Sequence, residues 1–180
     1  MRQQPTAALC AALAVLVSAS GASAQTPAVP GFGKFTALAQ AHEQPDPARD
    51  YKVVFDISEG AKAPEQPNPG LDRAARLINM LSAGGVSPAK RHIVAVMHGP
   101  ATDAVVSDTA YAARHNGQKN PNTALIAALQ AAGASLRICG QAMTGQKIAQ
   151  TDLAPGVQLD LAALMTVTNL QFQGYALVVD

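Results

Sequence analysis

Ser135–Leu136–Arg137–Ile138–Cys139–Gly140–Gln141–Ala142–Met143 reads as a short buried strand that stops at Cys139 and becomes a helix from about Ala142. Leu136 and Ile138 alternate with Ser135 and Arg137, the period of a strand, and Gly140 is expected to relax the backbone at the turn. Upstream, Tyr51–Ile57 is a β-branched, largely apolar strand. The Pro-rich loop Ser58–Gly70 separates it from a helical pattern at Leu71, Ala74, Ala75, Ile78 and Leu81, stopped by Gly84–Gly85. His92–Met97 is a second strand, closed by His98–Gly99–Pro100. Ala101–Arg114 is expected as one helix, and Pro121–Asn122 opens another whose apolar face is Leu125, Ile126, Leu129 and Ala132. Downstream come a short helix at Ala142–Ala149, a minor strand at Val157–Leu159, a helix at Leu161–Phe172 and a closing strand at Tyr175–Val179. Strands and helices alternate with connections too long for hairpins, which predicts an α/β sandwich: a parallel sheet with helices on both faces.

The first 24 of the 180 residues have the form of a secretory leader. Met1–Arg2 is a basic start, Ala7–Val17 is an apolar run too short to span a bilayer, and Ala22–Ser23–Ala24 is a small-x-small cleavage site. Cleavage before Gln25 would remove Cys10, leave Cys139 as the single thiol, and place the protein in the periplasm or outside the cell with no membrane segment. One cysteine excludes an internal disulfide, and without Cys-x-x-Cys there is no dithiol redox motif. Residues 25–50, with Pro27, Pro30, Pro45 and Pro47, read as an arm in which Phe32 and Phe35 are pins to the body, the favoured reading, or to a neighbouring subunit; residues 51–180 form the domain. Without the leader, thirteen basic residues less Arg2 balance twelve acidic ones, which argues against nucleic acid as a partner. The absence of tryptophan makes the core aliphatic.

In parallel α/β sheets, ligands gather beyond the carboxyl ends of the strands. Three segments should meet there: Ser58–Gly70, Met97–Ala101 and Cys139–Gln141. Cys139 is then a candidate nucleophile or sulfur carrier, because helix-start amides favour thiolate over thiol. The competing reading is a small buried hydrophobe. His98 closes the neighbouring strand, where an imidazolium would stabilise a thiolate or persulfide. Its alternative is a turn histidine bonded to backbone. The amides of Gly140 and Gln141 are placed to cradle a small anion or a transferred sulfur, unless Gln141 only caps the following helix. Asp56 ends the first strand and Glu59 sits in the loop; one of the two carboxylates is placed to approach the site, with surface solvation the favoured reading. His42, His92 and His115 lack metal-ligand spacing, so no metal is expected. No cofactor is expected either, since no Rossmann fingerprint or P-loop follows any strand. The missing Gly-x-Ser-x-Gly elbow argues against a serine hydrolase.

These pieces together resemble the DsrE/DsrF-like family of sulfur-relay proteins, in its exported branch. The resemblance rests on Tyr51–Asp56, Leu77–Ile78–Asn79, Val94–Ala95–Val96–Met97–His98–Gly99, Asn120–Pro121–Asn122, Arg137–Ile138–Cys139–Gly140–Gln141, and the ending Leu170–Gln171 with Gly174–Tyr175. It implies a flavodoxin-like three-layer sandwich of about five strands that assembles into homo-trimers or hexamers. It also implies that Cys139 carries sulfane sulfur as a persulfide between donor and acceptor proteins, with His98, Gly99, Gly140 and Gln141 as binding neighbours. Such a protein transfers sulfur and is neither hydrolase nor oxidoreductase. The alternative on the same scaffold is a small-ligand-binding or assembly module with a structural Cys139.

Overall fold

This computed structural model describes residues 26–180; the leader read at 1–24 lies outside them. Its strands are β1 Tyr51–Ile57, β2 Arg91–Met97, β3 Ser135–Cys139, β4 Gln158–Asp160 and β5 Ala176–Val179. Its helices are α1 Pro69–Ala83, α2 Asp108–Arg114, α3 Thr123–Ala131, α4 Gly140–Gln146 and α5 Ala163–Phe172. All strand pairs are parallel, in the order β4-β3-β2-β1-β5, so the expected α/β sheet is present.

That order fixes where the helices lie. From β1 to β4 the chain steps steadily in one direction, so right-handed crossovers lay α1, α3 and α4 on one face. Phe55, Ile57, Ala95, Met97, Leu136 and Ile138 point there, against Leu71 and Ile78 of α1, Leu125 and Leu129 of α3, and Met143 of α4. The last connection must return across the whole sheet to pair β5 with β1, and it carries α5 over the opposite face. A smaller cluster forms on that side from Val54, Val94, Val96, Cys139, Ala163 and Leu170. The sheet is therefore covered on both faces, but unequally. Leu164, Met165 and Phe172 of α5 and Leu177 and Val179 of β5 stay exposed.

Three local expectations need correction. Ala101–Arg114 is not one helix: a 3₁₀ segment at Gly99–Val105 ends where Val106 forms an antiparallel bridge with Leu153. Ser107 then restarts the chain, its hydroxyl accepting the Ala110 amide at 3.2 Å as the cap of α2. The helix after Cys139 begins earlier than expected, at Gly140, and stops at Gln146, where Lys147 turns left-handed (φ 56°). In the arm, Phe32 packs on the core, but Phe35 stays exposed. The actual anchor is Asn79, buried in α1. Its Oδ1 accepts the Val29 amide at 2.8 Å and its Nδ2 donates to the Phe32 carbonyl at 2.9 Å. The arm lies so close to α1 that a Cβ on Gly33 would collide with the backbone of Ala75 and Arg76.

One residue opposes the fold. Arg91, at the amino edge of the sheet, is buried, and its Nε and Nη1 have no hydrogen-bond partner. Burial pushes its pKa below the ordinary value. An unpaired buried polar group costs about 1–3 kcal/mol, so Arg91→Met, which keeps the stem and removes the guanidinium, is expected to raise stability by about 1 kcal/mol in urea unfolding.

Candidate functional site at the carboxyl edge of the sheet

The three segments expected to converge do so. The His98 amide donates to the Ile57 carbonyl at 3.0 Å and the Ala101 amide to the Ser58 carbonyl at 3.2 Å, which joins the β1 loop to the β2 turn. Gln146 of α4 donates through Nε2 to the Gly99 carbonyl at 2.7 Å, bringing in the segment after Cys139. Gly99 itself is left-handed (φ +51°), a conformation that favours glycine.

Beneath these contacts lies a chain of buried asparagines. Asn68 caps α1, its Oδ1 accepting the amides of Gly70 and Leu71 at 2.9 and 3.1 Å, while its Nδ2 donates to the Glu59 carbonyl at 2.8 Å. Its own amide donates to Asn122 Oδ1 at 2.7 Å. Asn122 Nδ2 donates to Asn120 Oδ1 at 2.9 Å, and Asn120 Nδ2 reaches the carbonyls of Ala104 and Val106 at 3.0 and 2.7 Å. Sequence reading placed Asn120 and Asn122 at a helix start but missed Asn68, whose N-cap position ahead of Pro69 was the available signal.

Cys139 closes β3 on the α5 face, packed with Val96 and Ala163 and only 7% exposed. It occupies the N-cap position of α4 without capping it. Gly140 is not there for backbone freedom. A Cβ at this position would stand 2.9 Å from the Asp160 carbonyl, so glycine is required by close approach of β4. Gln141 does not cap α4 either; its Nε2 donates to the Leu161 carbonyl at 3.3 Å.

The chain leaving β3 goes to one face and the chain leaving β4 to the other, and a cleft opens at that switch point. It measures about 500 Å³ and is lined by Gly140, Gln141, Thr144, Ile148, Asp160 and Leu161. Asp160 is held on its far side by Thr166 Oγ1 at 2.6 Å and by Arg137 Nη1 at 3.5 Å.

His98 bonds neither to backbone through its ring nor to the thiol. Its Nε2 lies 2.9 Å from Asp56 Oδ1, with both side chains about 30% exposed. Asp56 is thus a paired member of the edge, not a solvated carboxylate. The missed signal was parity, since Asp56 follows Val54 by two residues and shares its face. His115 stacks on Tyr111 at 4.0 Å between ring centroids and pairs with Asp103 at 3.1 Å. Burial, with the carboxylates of Asp103 and Glu65, raises the Tyr111 pKa. Among the described residues, no group of three or more His, Cys, Asp or Glu is placed to hold a metal ion. No described helix is long and apolar enough to cross a membrane.

Fold and edge together define a parallel, flavodoxin-like α/β sandwich with a cysteine at the switch point of its strands. The chain belongs to the DsrE/DsrF-like family, whose profile it matches over residues 52–179. Among solved structures it is similar to MTH1491 from Methanobacterium thermoautotrophicum, a protein of unknown function (17% identity, 73% of this chain and 100% of that one, TM-score 0.56). It is also similar to the ychN protein from E. coli (12% identity, 72% and 99%, TM-score 0.53). At such identities the likeness shows the shared fold alone. No curated protein sequence matches the chain.

Asp180 locks the start of the β1 loop. Burial pushes its pKa up, but the amides of Glu59 and Ser58, the Ser58 hydroxyl and its own amide outweigh that and hold it below the ordinary 3.8. A depressed carboxylate stabilises the fold above its unfolded pKa, and that contribution is lost as pH falls through the folded value. Asp180→Asn is therefore expected to melt below the wild-type protein near neutral pH, the gap closing as pH drops below 3.8 in a pH series of thermal melts.

Proposed function

We propose that this chain is an exported sulfur carrier that holds sulfane sulfur as a persulfide on Cys139 and passes it to an acceptor thiol. The supporting observation is the position of Cys139: at the carboxyl end of β3, one residue before Gly140, which lines the cleft, in a protein of the DsrE/DsrF-like family. Carriage needs one thiol and no resolving partner, and Cys139 is the sole cysteine after leader removal. Gly140 and Gln141 flank the cleft that would receive the donor. Sulfur-donor and sulfur-acceptor proteins are the partners, in the periplasm or outside the cell.

A second reading is favoured by one fact: the thiol is only 7% exposed and belongs to the apolar cluster that includes Val96 and Ala163. On that reading Cys139 is a packing residue and the protein is a ligand-binding or assembly module. Intact-mass analysis after incubation with a persulfide donor separates the two. A gain of one sulfur, absent in Cys139→Ser, supports carriage; an inert thiol that reacts only after unfolding supports the structural role.

Self-association belongs to the same proposal. Leu161, Leu164 and Phe172, each more than 70% exposed, form an apolar surface around α5 that a second copy would cover. Leu164→Glu with Phe172→Glu is expected to leave the melt near that of wild type while lowering the mass measured by light scattering to that of one chain.

A further inference from the structure

The carboxyl edge carries an acid–base pair that the cysteine alone does not explain. Asp56 Oδ1 and His98 Nε2 meet at 2.9 Å. An ionised carboxylate only accepts hydrogen bonds, so Nε2 must carry the proton, and in the neutral ring Nδ1 is then the bare nitrogen. Strand register says what lies beside that ring. Met97 is paired with Ile138, so the next residues along these parallel strands are His98 and Cys139. His98 remains extended (φ −151°, ψ 179°), so the alternation that turns Val96 toward the α5 face turns His98 there too. Cys139 lies on the same face, and neighbouring strands run about 4.8 Å apart. Of the other ionisable groups nearby, Asp160 and Asp180 are engaged, the Glu59 side chain is exposed, and Tyr175 packs against the cluster that holds Cys139. Asp160 is bound to Arg137 and Thr166, Asp180 to Ser58 and Glu59, and α5, which packs across this face, has no charged residue.

We propose that Asp56 is a positioning residue for Cys139: it holds His98 in the Nε2–H tautomer, so that Nδ1 receives the thiol proton. The proposal rests on the sulfur-carrier reading and supplies its proton transfer. Cys139 gives its proton to Nδ1, and the thiolate attacks the outer sulfur of a donor persulfide, R–S–SH. A new S–S bond forms at Cys139 as the donor's S–S bond breaks, its electron pair leaving on R–S⁻. That thiolate takes the proton back from the imidazolium, giving R–SH and Cys139–S–SH. An amide at position 56 would undo this, because its NH₂ can donate to Nε2 and so favour the opposite tautomer.

The test follows the ultraviolet absorbance of the Cys139 thiolate against pH, as a difference from Cys139→Ser, which needs no reagent to reach the sulfur. Asp56→Asn and His98→Gln should each move the transition to higher pH by about one unit, about tenfold less thiolate at a given pH below it. The double variant should move it no further than His98→Gln alone, and Asp56→Glu should restore part of the shift. In the wild-type protein, nitrogen NMR of His98 should report the Nε2–H tautomer, which holds even if a variant fails to fold. A superimposable transition in folded Asp56→Asn, or an Nδ1–H tautomer in wild type, overturns the proposal. Sulfur loading of wild-type Cys139 with an unmoved Asp56→Asn transition would sink this inference and leave the carrier standing. A moved transition without any loading would support the pairing and sink the carrier.

Discussion

Three loops leave the same edge of the sheet, and each brings backbone amides and carbonyls that cannot all reach water. The asparagine chain from Asn68 through Asn122 to Asn120 resolves this. Each side-chain amide stands in for a strand or helix neighbour that the loop backbone lacks, linking the Glu59 carbonyl to those of Ala104 and Val106. Buried polar networks stabilise only when every member is satisfied, and all three asparagines here are bonded through both amide atoms or through the chain they cap. The positions of His98, Gly99 and the turn into α4 follow from that fixed floor, since Gly99 is tied to α4 through Gln146.

The second constraint is winding direction. Four strands laid down in steady order require their helices on one side, and only the final return supplies cover for the other. The site inherits this asymmetry. Cys139, His98 and Asp56 sit on the thinly covered face, which keeps two of them partly open to solvent, while the thiol is screened by Ala163 of the single crossing helix. The well-packed face carries the core.

The strands were readable because β-branched runs such as Tyr51–Ile57 declare a doubly covered strand locally. The helix at α1 was readable because its apolar residues repeat at helical spacing. The break before α2 was not, because it depends on Val106 bridging Leu153, a contact between distant segments that leaves no periodic trace. Cys139, Gly140 and Gln141 were found at the right edge, though for Gly140 the reason differed: proximity of the Asp160 carbonyl, which only the folded sheet creates. The pairing of Asp56 and the anchoring role of Asn79 were not legible, because each looks like an ordinary polar residue in an amphipathic pattern. Their partners, His98 and the Val29–Gly33 arm, are brought to them only by tertiary structure.

The pairing of β5 with β1 ties the timing of folding to the direction of synthesis. A ribosome makes β1 among the first elements of the domain and β5 last, so one edge of β1 waits, unpaired, until nearly the whole chain has emerged. Closure between such remote segments is slow, because loop entropy is lost before the contacts reward it. During that interval the nascent sheet exposes a hydrogen-bonding edge and the uncovered side of Val54 and Val96, the combination that chaperones bind.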